Sequence, residues 1–295
     1  MLSTAVRLMF GRSPAPVVPA ALPDPVPAAP PARVPRGDWP IERIALAYRL
    51  WGPGFIVPGG EAEILRLVRP LGAASSSSLL LVGVGAGGPA AAITRNFGAW
   101  VTGLDNDATL LAAAKGVVAK AQLAKKIRIG SWDPLAPAFV PHGHHHCLAL
   151  EPLHGAQAEP ILDGLAKALR PGGQLVMTEL TADKPLNPND PAVARWAAME
   201  RRDPGGLVAG IAITRMLGRV GLDVRIAEDI SARHLEQAML GWRILLRDLQ
   251  GRKPPKQEAA QMVAEAELWL LRRRLMRAGK LRLMRWHAIG PMPVA

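Results

Sequence analysis

The residues best placed to do chemistry stand at the ends of short apolar runs. Residues 79–84 lead into Gly83-Val84-Gly85-Ala86-Gly87-Gly88, where Gly83, Gly85 and Gly88 satisfy G-x-G-x-x-G. Glycines at that spacing let a chain turn tightly and bring its amides against a nucleotide, with further N–H groups from the first turn of the next helix. Asp105 closes the following apolar run, where a carboxylate can accept from both hydroxyls of a ribose, and Asn106 stands beside it. Up to this point a nicotinamide-dependent oxidoreductase fits as well as any other nucleotide-binding protein. A second group follows Leu150. Glu151 and His154 would contact a substrate, with His154 able to serve as a base. Tyr48, the one tyrosine, has a hydroxyl that could orient an amine. His142, His144, His145 and His146 beside Cys147 have the side chains of a metal site. Neighbours entering a strand point to opposite faces, however, and lack the chelating spacing of zinc ligands, so no metal is expected.

These residues need a frame, and the apolar pattern supplies one. Residues 79–84, 100–104, 126–129, 147–150 and 174–179 read as strands buried on both faces. Helical segments at 89–97, 107–124 and 159–169 alternate with them. That alternation predicts an α/β fold, a doubly wound and mostly parallel sheet with helices on both sides. Two helices, 41–51 and 61–68, precede it. Residues 192–201 and 207–220 look helical, 222–228 a late strand, and the chain from 232 to about 277 mainly helical. The expected organisation is a disordered Pro/Ala-rich segment over 1–38, a folded domain over 39–230 with its two leading helices, and a basic helical extension over 231–295. The one cysteine precludes an internal disulfide and suits the cytoplasm. No apolar run is long enough to span a bilayer.

Further motifs narrow the class. Ile129-Gly130-Ser131-Trp132-Asp133 ends the third strand in an acid, and Leu169-Arg170-Pro171-Gly172-Gly173 precedes the fifth. Their order after the glycine loop, with the late strand after a Gly-Leu turn, resembles class I S-adenosylmethionine-dependent methyltransferases over residues 79–230. Trp51-Gly52-Pro53-Gly54-Phe55-Ile56-Val57-Pro58-Gly59-Gly60 is similar to the segment that folds over the cofactor in phosphoethanolamine-type N-methyltransferases. The resemblance implies S-adenosylmethionine as cofactor, held by Gly83, Gly85, Gly87, Asp105, Asn106, Trp132 and Asp133 and by the backbone at Gly59 and Gly60. It implies methyl transfer to a small molecule or lipid head group, more readily at nitrogen, with Glu151, His154 and Tyr48 at the acceptor. Leu81 and His145 stand where the family's pattern carries acids. They support a second reading, a catalytically inactive methyltransferase fold retained as a binding or scaffolding module.

The formal charge of +12 is concentrated near the C-terminus. Between Trp242 and Trp286 twelve Lys and Arg face four Asp and Glu, with Trp269 interleaved. A basic amphipathic helix with tryptophan suits peripheral contact with an anionic membrane surface, ahead of nucleic acid; otherwise it packs on the sheet with a solvated basic face.

Overall fold

A computed structural model describes residues 39–154 and 157–292. The 1–38 segment, expected above to be disordered, lies outside the described residues. Seven strands among the described residues form one sheet in the order β3-β2-β1-β4-β5-β7-β6. They are β1 (Ser78–Val82), β2 (Trp100–Asp105), β3 (Ile127–Ser131), β4 (His144–Leu150), β5 (Leu169–Thr181), β6 (Asp223–Asp229) and β7 (Arg282–Ile289). The first five are parallel, and β7 runs antiparallel to both β5 and β6. The doubly wound, mostly parallel sheet expected from the sequence is the fold observed.

Alternation within the strands explains the two helical layers. In β1, Leu79 and Leu81 face one core with Leu148 and Val176, while Leu80 and Val82 face the other with Cys147 and Ala149. The first core is closed by α1 (Ile41–Trp51), α2 (Gly60–Val68), α3 (Gly88–Phe97), α8 (Ser231–Asp248) and α9 (Lys256–Arg277). The second is closed by α5 (Ala158–Ala168) and α7 (Gly210–Arg219). α4 (Ala108–Lys120) lies beside β3 and β2, and α6 (Pro191–Glu200) packs on α9. Local chemistry sets the helix starts. Asp107 accepts from Leu110 N at the head of α4, and Asp190 accepts from Ala192 N just before α6, which opens on Pro191.

The sheet crosses the expected boundary at residue 230. The chain leaves β6, makes α8 and α9, and returns as β7 between β5 and β6. The C-terminal segment is therefore not helical throughout, and its last strand is integral to the sheet. Trp242, Trp269 and Trp286 are all buried, with Trp286 Nε1 donating to Thr214 Oγ1 at 2.9 Å. Arg282 pairs with Asp183 and Asp229, and Arg285 with Glu228. Burial of the three tryptophans removes the aromatic half of the membrane-surface pattern expected for this region. Among the described residues no helix is long and apolar enough to cross a membrane.

Candidate active site

The parallel strand order reverses between β1 and β4, and ligands of open α/β sheets sit beyond the strand carboxyl ends at such a point. A cavity of about 330 Å³ opens there. Gly83, Gly85 and Asp105 form one corner, Glu151 and His154 lie past the end of β4, and Thr178 stands within β5. Trp51 at the end of α1 and Ile56, Val57 and Pro58 beyond it close the cavity. α9 adds Glu265, Trp269 and Arg272, and His234 comes from α8. The insertion between β6 and β7 thus supplies a wall of the site.

The glycine corner is held by hydrogen bonds. Gly83 N donates to Leu104 O at 2.8 Å, and Gly83 has φ 80° with space for no Cβ, since one would lie 2.5 Å from Leu150 O. Gly85 N donates to Asp105 Oδ2 at 2.9 Å. Asn106 N and Asp107 N donate to Oδ1 of the same carboxylate at 2.9 and 3.2 Å. Asp105, 1% exposed, therefore ties the glycine loop to the end of β2. Asn106 and Trp132 line a small recess that shares Gly83, Glu151 and His154 with the main cavity.

Other residues expected at the site lie away from the cavity. Asp133 is exposed, and its Oδ1 accepts from Leu135 N at 2.8 Å, capping its own turn. Gly87 precedes α3 as its N-cap. Tyr48 packs beside Ile44, Ala86 and Leu110, and burial raises the pKa of its hydroxyl. Gly59 heads α2 against the Gln237 side chain. Gly60, at φ 50°, would place a Cβ 2.1 Å from Trp51 O. These two glycines serve close packing, while Ile56, Val57 and Pro58 face the cavity. Gly60→Ala is expected to lower stability by at least ~2 kcal/mol, combining a left-handed backbone with a collision against a carbonyl. Thermal unfolding checks this, and an unchanged melting point would contradict the packing role.

The opposite wall is a buried ionic cluster of which the sequence pointed only to Glu151. Arg202, just past α6, contacts Glu151, reaches Glu179 at 3.4 Å and lies 3.9 Å from Glu200. Arg272 grips Glu200 through two nitrogens and stacks on Trp269 at 5.2 Å. Arg43 holds Glu265 at 2.8 Å, joining α1 to α9. Glu265 also accepts from Trp269 Nε1, and Trp269 meets Trp51 edge-on at 5.5 Å. Burial pushes the Glu200 carboxyl up, but Arg272, Arg202 and Arg43 outweigh it and hold the group at about 2. Burial, aided by Arg272, lowers His234 to about 3, so it is neutral. Glu151 and Arg201 line the cavity with φ of 47° and 52°, left-handed values that non-glycine residues adopt at a cost and that gather at functional sites. The one signal in sequence was the spacing of Met262, Glu265, Trp269, Arg272 and Met276 along a single face of α9.

No protein-family model matches the chain. Caenorhabditis elegans phosphoethanolamine N-methyltransferase 2 is 28% identical over 131 residues, 44% of this chain and 30% of that protein. Haemonchus contortus phosphoethanolamine N-methyltransferase 2, solved with phosphomonomethylethanolamine and S-adenosylhomocysteine, superposes with a TM-score of 0.73 at 19% identity. That superposition covers 84% of this chain and 57% of the neighbour, so the chain spans well under two thirds of either nematode enzyme. Geranyl diphosphate C-methyltransferase of Streptomyces coelicolor matches at TM-score 0.59 and 16% identity, over 77% of this chain and 78% of that one. Sheet order, glycine loop and these neighbours define the fold of class I S-adenosylmethionine-dependent methyltransferases. Among proteins of that fold the chain is similar to phosphoethanolamine N-methyltransferases. These neighbours are named as nitrogen and carbon methyltransferases, so the fold alone does not fix the acceptor atom.

Proposed function

We propose that the protein is an S-adenosylmethionine-dependent methyltransferase that acts on nitrogen in a small molecule. One observation carries this reading. A single cavity runs from the Gly83–Gly85–Asp105 corner to a wall of Glu151, Glu200 and Glu265 with the rings of Trp51 and Trp269. The first end suits a nucleoside: amides at a tight turn, and a carboxylate at the end of β2. Gly83, Gly85 and Asp105 would hold the cofactor, with Asn106 and Trp132 at the adjoining recess. When bound, the cofactor supplies an activated methyl group.

The other end suits an amine. Carboxylates attract an ammonium group, and tryptophan faces add cation–π attraction. Glu151 and His154 lie where β4 ends and would position the acceptor, His154 taking its proton. The protein's contribution to transfer is alignment and exclusion of water, worth up to ~7–11 kcal/mol in favourable systems. The cavity, closed on one side by α1 and on another by α9, has the enclosure this requires.

Calorimetric titration with S-adenosylmethionine, with NADH as control, tests the cofactor. Release of S-adenosylhomocysteine in the presence of a panel of small amines tests the acceptor. Micromolar binding and amine-dependent turnover are the expected results. Binding without turnover on any amine would favour the scaffolding role, and NADH binding in its place would overturn the reading.

A further inference from the structure

The cavity's ionic wall is not electrically balanced. Arg43, Arg202 and Arg272 face Glu151, Glu179, Glu200 and Glu265, three guanidiniums against four carboxylates. None of these side chains is more than 24% exposed. A fixed unpaired charge in such surroundings is costly, and proteins answer it with a proton or a counter-ion.

Geometry places the excess at Glu179. It lies behind Glu151 and accepts from Leu153 N at 2.8 Å, Leu180 N at 3.0 Å and Arg202 at 3.4 Å. Glu200 is taken up chiefly by Arg272, which also lies 4.0 Å from Glu151, and Glu265 by Arg43, while Arg202 is shared between Glu151 and Glu179. Burial pushes Glu179 up to about 7 against the pull of Arg202, and Glu151 pushes the same way. Of the other charged groups at the cavity, Arg201 lines it but is exposed to solvent. His234, beside Arg272, is neutral, and Arg285 on the neighbouring β7 is turned to Glu228. His154 follows Leu153 on the same turn. Glu151 both lines the cavity and shares Arg202 with Glu179, so a charge entering the cavity acts on both carboxyls.

Building on the reading of a sulfonium cofactor and an amine acceptor, we infer that Glu151, Arg202 and Glu179 form a proton-exchanging counter-ion for cations. A sulfonium or alkylammonium entering the cavity displaces the proton that Glu179 holds, and that proton leaves to solvent. Charge is conserved, since each molecule that binds a cation with Glu179 protonated loses one proton. A ligand of the same shape without the positive charge displaces no proton.

S-adenosylmethionine and S-adenosylhomocysteine provide that contrast, since only the former carries a sulfonium. Calorimetry of the full-length protein at pH 7, in buffers of different ionisation enthalpy, counts the protons released by each. A group half ionised at pH 7 predicts about 0.5 proton more for S-adenosylmethionine. In Glu179→Gln this excess should fall by at least half; the amino acid end common to both ligands cancels in that comparison. Glu151→Gln repeats the test should Glu179→Gln fail to fold. Equal proton counts in the wild type, or an undiminished excess in a folded variant, overturn the inference while leaving the cofactor reading intact. Absence of binding by either ligand overturns both.

Discussion

Replacing Asp105 with alanine is expected to reduce S-adenosylmethionine affinity by at least ~100-fold, about 2.7 kcal/mol. Two effects combine. The ribose hydroxyls lose their proposed acceptor at the corner of the cavity. The amides of Gly85, Asn106 and Asp107 lose the carboxylate that gathers them, which frees the glycine loop from the end of β2. Buried donors without a partner cost about 1–3 kcal/mol each, so the melting temperature should also fall. Asp105→Asn separates the two effects. Its amide oxygen can still accept from loop amides, so stability should partly recover, whereas its NH₂ group cannot accept from a ribose hydroxyl and binding should stay weak. Calorimetry and thermal unfolding on both variants make the comparison. Wild-type affinity in Asp105→Asn would assign the carboxylate to loop architecture alone.

The parts of this molecule legible in its sequence are those whose partners are near in the chain. Leu79 to Asp105 make a strand, a glycine turn, a helix and a second strand in one local unit, so sequence order alone places Gly83, Gly85 and Asp105 together. β7 was not legible. Arg282 and Arg285 interrupt its apolar alternation, and its partners Gln174–Thr181 lie about a hundred residues earlier, across the α8–α9 insertion. The buried face of α1 was not legible either. Ile44, Leu46, Ala47, Leu50 and Trp51 are buried and Ile41 is 73% exposed, because α1 is covered by α8 and α9 rather than lying on the sheet alone. The ionic wall was hidden for the same reason. Glu265 and Arg272 read as surface charges on a basic helix, and only the fold brings Arg43 and Glu200 to them.

Arg202→Met should cost about 3–5 kcal/mol of stability, because it removes one partner of a buried network and strands the others. Methionine keeps much of the length and apolar volume, so the loss reports charge more than packing. Glu151 and Glu179 would then face each other without the guanidinium between them. The sign of the pH dependence follows. Glu179 already sits at about 7 in the folded state, above its ordinary 4.5, so its ionisation opposes folding. The stability associated with its neutral form is complete below 4.5 and is lost as pH rises through the folded value. Without Arg202 that folded value rises further. The deficit of Arg202→Met should therefore be small near pH 5 and largest near pH 8. Adding Glu179→Gln to Arg202→Met removes one stranded charge and should restore part of the loss, a coupling a double-mutant cycle resolves. Denaturant unfolding of the four proteins at both pH values measures it. A deficit independent of pH, with strictly additive substitutions, would mean that Arg202 contributes shape and not charge to this wall, and that the excess carboxylate of the cavity is balanced by another group.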